Sequence, residues 1–441
     1  MISLHETAPS GCRLPIRDCA FPAPFDSTLE YAAPARGPWN IVHVGMLVPE
    51  AHQIFVCAQG CLRGVVLTAA EMGASHRFST IAVEERDLLE GDMEQLILDG
   101  VADILHKLPY TPRAVLLFTS CVHHFVGCDL HYVYKKLRET WPQIDFTDCY
   151  MNPIMRKSKT PPDAKMRQQL YSLLHPAPRD GGVSLVGTLT PLSEGNDLFR
   201  IIRQSGRPFR AITEYQDYDS FQQMAKSSLC ISINPAARLA GDTLQQRLGQ
   251  QHLHLPLSYD SEEIRRHLQT LCEALSLPLP DLDSWEQAAE EAMEQTARAL
   301  QGVQVAIDYT ATTRPLGLAR LLLRHGIQVC TVYADGFIPE ERNDFLWLQE
   351  HAPQLQICAT VHPKMGLLPH DAARQADGKL LAIGQKAAYF TGTSYFINLL
   401  EGGDQYGFDG ICRLAKEMRE AILAEQDVPS IIQVKGWGCC G

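Results

Sequence analysis

The chain lacks any run of apolar residues long enough to cross a bilayer, which takes about 20 in succession. The stretch from Met1 to Pro15 holds no basic segment followed by an apolar core, so no secretory signal is expected there. Positive charge is short as well: 39 Lys and Arg stand against 51 Asp and Glu, a formal net charge of −12. That balance gives no support to nonspecific attraction for nucleic acid or acidic lipid, and neither is expected as a partner. No Cys-x-x-Cys pair occurs, which removes the zinc-ribbon pattern. No Gly-x-Gly-x-x-Gly loop stands between a strand and a helix, which weighs against a sugar-nucleotide-binding protein with structural cysteines. The expected compartment is the cytoplasm.

Cysteine, by contrast, is plentiful, with 14 in the chain. A reducing cytoplasm disfavours disulfides. Cys230, Cys330 and Cys358 sit inside strand-like runs and read as small buried hydrophobes. The others ask for a metal or redox explanation.

The apolar pattern alternates short continuous runs with stretches of helical period. The runs are Asn40–Val44, Arg77–Val83, Arg113–Thr119, Val183–Gly187, Arg207–Ile212, Ser228–Ile233, His252–Pro256, Val303–Tyr309, Ile327–Tyr333, Leu355–Val361 and Leu380–Gly384. Helical periods cover Asp92–Leu108, Ser261–Leu277 and Pro315–His325. Continuous apolar strands divided by helices predict an α/β fold with parallel sheets covered on both faces. The strands fall into three Rossmann-like groups: residues 1–178, 179–282 and 283–428, followed by a tail over 429–441 that carries Cys439 and Cys440.

Three cysteines of the first group stand out. Cys121 follows the run Arg113–Thr119, at the carboxyl end of a predicted buried strand, where open α/β sheets gather their ligands. Cys61 precedes a helical run, so free backbone N–H groups and the helix dipole are expected to lower its thiol pKa. Gly60 beside it lets backbone approach a bound group closely. Cys57, four residues earlier, reads as a packing residue or as a further ligand. Cys19 lies in a proline-rich segment before the first strand. Thiolate-bound clusters take about four ligands, so three cysteines imply completion by another chain or by an oxygen ligand.

These residues carry a resemblance. Gln59-Gly60-Cys61 before a helix resembles the second cluster cysteine of nitrogenase component 1 subunits. Thr119-Ser120-Cys121, followed by Val126-Gly127-Cys128-Asp129, resembles the third, with Cys128 in place of an acidic residue. Arg17-Asp18-Cys19-Ala20 resembles the first, although the interval to Cys61 is long and makes Cys12 a substitute. Glu84–Gly91 and Gly407-Phe408-Asp409-Gly410 resemble two further family segments. The resemblance implies three Rossmann-like domains and an iron–sulfur cluster on Cys19, Cys61 and Cys121. That cluster is either an eight-iron, seven-sulfur P-type cluster or a 4Fe-4S cluster. It further implies a second component 1-type subunit, identical or homologous, in a dimer or heterotetramer. An ATP-dependent iron protein would be the electron donor to an oxidoreductase of unidentified small substrate.

The chain departs from the catalytic α-subunit pattern at two positions. The cofactor cysteine falls near Ser232–Asn234 and the cofactor histidine near Ser394–Asn398, and neither residue type is present there. A second complex iron–sulfur cofactor therefore lacks its usual anchors. The alternative function is a scaffold for assembling such a cofactor. His123, His124, His362, Lys364, Gln385, Lys386 and Tyr395 are the polar candidates for an inner site.

Overall fold

The continuous apolar runs become the strands of three sheets. The structure, a computed structural model, describes residues 11–26, 30, 41–152, 154, 155, 158–368 and 378–432. In chain order its strands are β1 (Arg13–Pro15), β2 (Ala51–Ala58), β3 (Phe78–Val83), β4 (Ala114–Ser120), β5 (Asp145–Met151), β6 (Val183–Val186) and β7 (Phe209–Ala211). They continue with β8 (Leu229–Ser232), β9 (Gln251–His254), β10 (Gln304–Asp308), β11 (Gln328–Tyr333), β12 (Gln356–Cys358), β13 (Leu380–Ile383) and β14 (Tyr395–Ile397). The sheet orders are β3-β2-β4-β5, β7-β6-β8-β9 and β1-β12-β11-β10-β13-β14. Among the described residues every pairing is parallel except that of β1 with β12. The expected mixed α/β fold, with parallel sheets flanked by helices, is what the chain adopts. No helix among the described residues is long and apolar enough to cross a membrane.

The chain divides into two compact units. One takes its residues from Met1–Pro38, Leu192–Gly206 and Leu257–Gly441, the other from Trp39–Pro191 and Arg207–Pro256. The second unit holds the two four-stranded sheets. Its central strands show why the apolar runs are continuous. Phe55, Leu116 and Phe118 pack on one face, whereas Ile54, Val56, Val115 and Leu117 pack on the other, beneath the helices Met93–Lys107 and Leu130–Thr140. Both faces are therefore buried, as in any doubly covered parallel sheet.

Two details differ from the sequence reading. The expected strand at Asn40–Val44 falls on the helix Ile41–Met46 (Asn40 itself lies outside the described residues), and the central strand is β2. His52 and Gln53 interrupt the apolar pattern of β2, but both are buried and partnered. His52 Nδ1 and Nε2 meet Tyr110 Oη at 2.9 Å and Ser79 Oγ at 2.8 Å, and Gln53 Nε2 donates to the Val42 carbonyl at 3.1 Å. The N-terminal segment, assigned by sequence to the first group, contributes β1 to the six-stranded sheet, with Arg13, Leu14 and Pro15 opposite Cys358, Ile357 and Gln356.

The segment Gly407–Gly410 has a clear structural role within the first unit. Asp197 opens the helix Asp197–Gln204, is 1% exposed, and accepts the Asp409 N–H at 3.1 Å. Gly407 adopts φ of 74°, and a Cβ there would lie 2.4 Å from the Asp197 carboxylate. Only glycine meets both conditions. Burial raises the Asp197 carboxyl to about 6, with the neighbouring Asp409 carboxylate adding to the rise.

A raised folded-state pKa means that the native chain holds a proton the unfolded chain has released. Stability is then expected to fall as pH rises from about 4 to about 6, by about 2–3 kcal/mol, and to level off above that. Asp197→Asn should flatten this dependence, measured by urea unfolding at pH 5 and pH 7.5. Gly407→Ala should cost on the order of 2 kcal/mol in the same assay.

Candidate functional site

Parallel pairing sets β2 and β4 side by side with their carboxyl ends level. Val56 lies opposite Thr119, so Cys57 and Ser120 follow at the same height. Each strand then turns directly into a helix. Gln59–Glu71 follows β2 with Cys61 as its third residue, and Cys121–Phe125 follows β4 with Cys121 as its first. Both cysteines therefore stand in a first helical turn, where backbone N–H groups have no intrahelical acceptor.

Cys61 is exposed, Cys121 is half-buried and Cys57 is fully buried. The three are close enough to interact electrostatically. Burial, and then charge on Cys61 and Cys121, lifts the Cys57 thiol to about 12. Burial, and then Cys121, also lifts Cys61. The helix N-terminus was expected to lower Cys61, but burial and a facing thiol outweigh it. Like charges that oppose one another's ionisation are relieved by a cation, and a coordinating metal deprotonates its thiols outright. Gly60 faces open space, with no atom within 4 Å of where a Cβ would sit, so a bound group can approach its backbone.

Among the described residues, no three Cys, His, Asp or Glu side chains converge tightly enough to enclose a single metal ion. The donor set instead suits a polynuclear iron–sulfur group, which is wider than an ion and takes soft thiolates with hydrogen bonds from backbone N–H. Cys61 and Cys121 fit that requirement. Cys57 is seated below them in the strand.

Beside Cys121 opens a cleft of about 300 Å³, lined among others by Ser120, His123, His124, Cys128, Tyr150 and Asn152. His123 is 2% exposed, and its Nδ1 accepts the Ser120 N–H at 3.2 Å. Its Nε2 has no hydrogen-bond partner among the described residues. Its Nδ1 also lies 3.3 Å from the Ser120 carbonyl, and burial pushes the ring pKa down, which favours the neutral imidazole. His124 also lines the cleft. Cys128 is held protonated by burial and by Glu94, which raise its pKa to about 12. Asp129 caps the helix Leu130–Thr140 by accepting the Tyr132 N–H at 3.0 Å.

Cys19 belongs to the first unit. It closes a single helical turn after β1, its thiol donates to the Pro15 carbonyl at 3.5 Å, and burial followed by Asp18 raises its pKa to about 11. Cys12, Cys19 and Cys330 each influence the Cys358 thiol, so these four form a second cysteine neighbourhood. Cys439 and Cys440 lie outside the described residues.

The other polar candidates also lie in the first unit. His362 Nδ1 accepts the Lys364 N–H at 3.2 Å, Gln385 Nε2 donates to Asn398 at 3.1 Å, and Tyr395 Oη donates to Glu425 at 3.4 Å. Lys386 is fully buried, with its ammonium 5.5 Å from the Tyr309 ring centre and close to Asp308. Asp308 escaped the sequence reading. It ends β10 and accepts the N–H groups of Thr310 and Ala387, both at 2.7 Å. The available signal was an acidic residue closing an apolar strand.

Near Ser232–Asn234, where a cofactor cysteine was sought, Ser232 ends β8 and Cys230 is sealed within it.

Comparison with known proteins agrees with this architecture. The family model for nitrogenase component 1 type oxidoreductases matches residues 41–423. The structure of nitrogenase Cp1 at pH 6.5 is similar to the chain with a TM-score of 0.58 at 14% identity, covering 90% of this chain and 94% of that one. Nitrogenase Cp1 at pH 5 gives a TM-score of 0.53 at 13% identity, covering 90% of each. No curated protein matches. With the family model spanning most of its length, the chain belongs to the nitrogenase component 1 type oxidoreductases.

Proposed function

We propose that the protein is a subunit of a nitrogenase-like iron–sulfur oxidoreductase in which Cys61 and Cys121 hold the cluster. The observation that carries this reading is the placement of two solvent-accessible thiols, Cys61 and Cys121, in the first turns of the helices that follow two paired strands. Cys19 enters as a third thiolate on its sequence motif alone. When bound, the cluster supplies one-electron transfer, whether it has eight irons or four. The chain's own residues would position it: Gly60 leaves its backbone accessible, and N–H groups of the first helical turns would be available to the sulfides. His123 lines the adjoining cleft, where its imidazole serves as a hydrogen-bond partner for a cluster sulfur or an entering group.

The partners follow from the same reading. Two thiolates of one unit do not complete a cluster, so a second component 1-type subunit, identical or homologous, supplies the rest. The surface near the thiols suits this. Val66 on the Cys61 helix, Phe125 and Val126 after Cys121, and Ile154 in the cleft wall are all exposed, with Phe125 72% exposed. Exposed apolar groups of this size mark interaction surfaces. An ATP-dependent iron protein is the proposed electron donor, and a small molecule the substrate. A second complex cofactor would lack a cysteine near Asn234 and a histidine near Tyr395.

Anaerobic purification should yield a brown protein with iron and acid-labile sulfide. Cys61→Ala and Cys121→Ala should each lose most of that iron, and Cys57→Ala should keep it. Cys19→Ala tests the third thiolate separately, with iron loss expected. A colourless, iron-free wild-type chain after anaerobic reconstitution would sink the proposal.

A further inference from the structure

A chain of hydrogen bonds joins β8 and β9 of the β7-β6-β8-β9 sheet to the helix Arg238–Leu248 in the second unit. Asp242 lies on the helix Arg238–Leu248 and is half-exposed. Its Oδ1 meets His252 Nδ1 at 2.8 Å. His252 Nε2 meets Ser232 Oγ at 2.8 Å, and the same oxygen meets His254 Nδ1 at 2.9 Å. Ser232 is fully buried at the end of β8, and His254 ends β9 in register with it. The series thus runs from a solvent-facing carboxylate to the carboxyl edge of a parallel sheet, the edge where such sheets bind their ligands.

The helix is adapted to this arrangement. Gly241 sits in its interior, where glycine costs about 1 kcal/mol relative to alanine. A Cβ at Gly241 would lie 2.1 Å from His252 Nε2, so only glycine admits the ring. Gln245 holds the His252 backbone, accepting its N–H at 3.0 Å. Cys230 pairs opposite His252 on β8 and is kept protonated by burial.

Asp242, His252 and Ser232 reproduce the connectivity of a nucleophilic triad. Two features argue against that use. Ser232 is closed to substrate, and its hydroxyl is engaged by a second imidazole. A hydroxyl between two imidazoles is instead a proton bridge, because it can accept from one ring while donating to the other.

We infer that Asp242, His252, Ser232 and His254 form a proton relay that carries protons from solvent to the carboxyl edge of this sheet. The inference rests on the reading of the chain as a reductase, whose product needs protons as well as electrons. The step balances. A proton taken up at His252 makes an imidazolium beside the Asp242 carboxylate, and the Nε2 proton of that ring passes to Ser232 Oγ. The Ser232 hydroxyl proton passes to His254 Nδ1. Two bonds to hydrogen break and two form, the positive charge moves from one ring to the other, and no electron is transferred.

The test reads the relay directly on the full-length chain without cluster or substrate, so it fails independently of the cluster assignment. Histidine is labelled with ¹⁵N, resonances are assigned with His252→Asn and His254→Asn, and both rings are titrated by NMR. In the wild type the two rings should titrate as a coupled pair, each shifting through the other's transition. Ser232→Ala should remove the hydrogen-bond signature from the ¹⁵N shifts of His252 Nε2 and His254 Nδ1, whose rings remain coupled through space at 6.3 Å, and Ser232→Thr, which keeps a hydroxyl, should restore it. Independent titration in the wild type, or ¹⁵N shifts of those two nitrogens that are unchanged in Ser232→Ala, would overturn the relay. So would covalent labelling of Ser232 by a fluorophosphonate probe, which would reassign the group as a nucleophile.

Discussion

The register of β2 against β4 is the constraint on which the candidate site depends. A parallel pair brings both carboxyl ends to one edge, and the helix that follows each strand begins at a height set by that pairing. A slip of one residue would turn every side chain to the opposite face. The register is pinned from both sides of the sheet. Phe55 stacks on Phe118 with ring centres 4.1 Å apart, and Ile54, Val56, Val115 and Leu117 fill the other face. Cys61 and Cys121 are neighbours because two aromatic rings beneath them leave no other alignment.

The two units bury polar groups in different ways. In the first, several buried charges are matched closely. Arg314, 2% exposed, forms two parallel bonds to Glu263 at 2.6 and 2.8 Å, while Asp308 is surrounded by backbone donors and lies close to buried Lys386. Removing one partner of such a pair leaves an uncompensated buried charge, which is far more costly than the net stabilisation the pair provides. In the second unit the buried polar groups are largely neutral and hydrogen-bonded, as with His52, whose pKa burial pushes down to about 4, and Ser232. Neutral networks can rearrange protons at little cost, whereas matched charges resist rearrangement.

Much of this was legible in the residues. Continuous apolar runs such as Val115–Phe118 reported doubly covered strands, and the cysteine at the end of one of them marked a candidate site. What escaped the pattern was polar. His52 and Gln53 disguised β2, because their partners Tyr110, Ser79 and Val42 are remote in the chain. β5 carries Asp145, Thr147 and Asp148 among its larger groups and is absent from the expected strands. The histidines of β9 looked like ordinary strand residues, since nothing local marks Ser232 and Asp242 as their neighbours. Cys57 and Cys61 are close in sequence and were read together, whereas Cys19 was grouped with them by motif and is seated by its strand on the six-stranded sheet. Periodicity reports burial, but hydrogen-bond partners are set by topology.

The short antiparallel strand β1 has a bearing on how the molecule is made. Its partner β12 begins more than three hundred residues later, at Gln356. The segments of the second unit are complete once residue 256 has been synthesised, whereas the first unit draws on both ends of the chain. During synthesis, therefore, the unit with Cys61 and Cys121 can close early, while Cys12 and Cys19 wait for the last third of the chain to emerge. Long-range closure of this kind is slow and leaves the early segment exposed in the interval. A nascent chain would thus present its two groups of thiols to metal donors at different times.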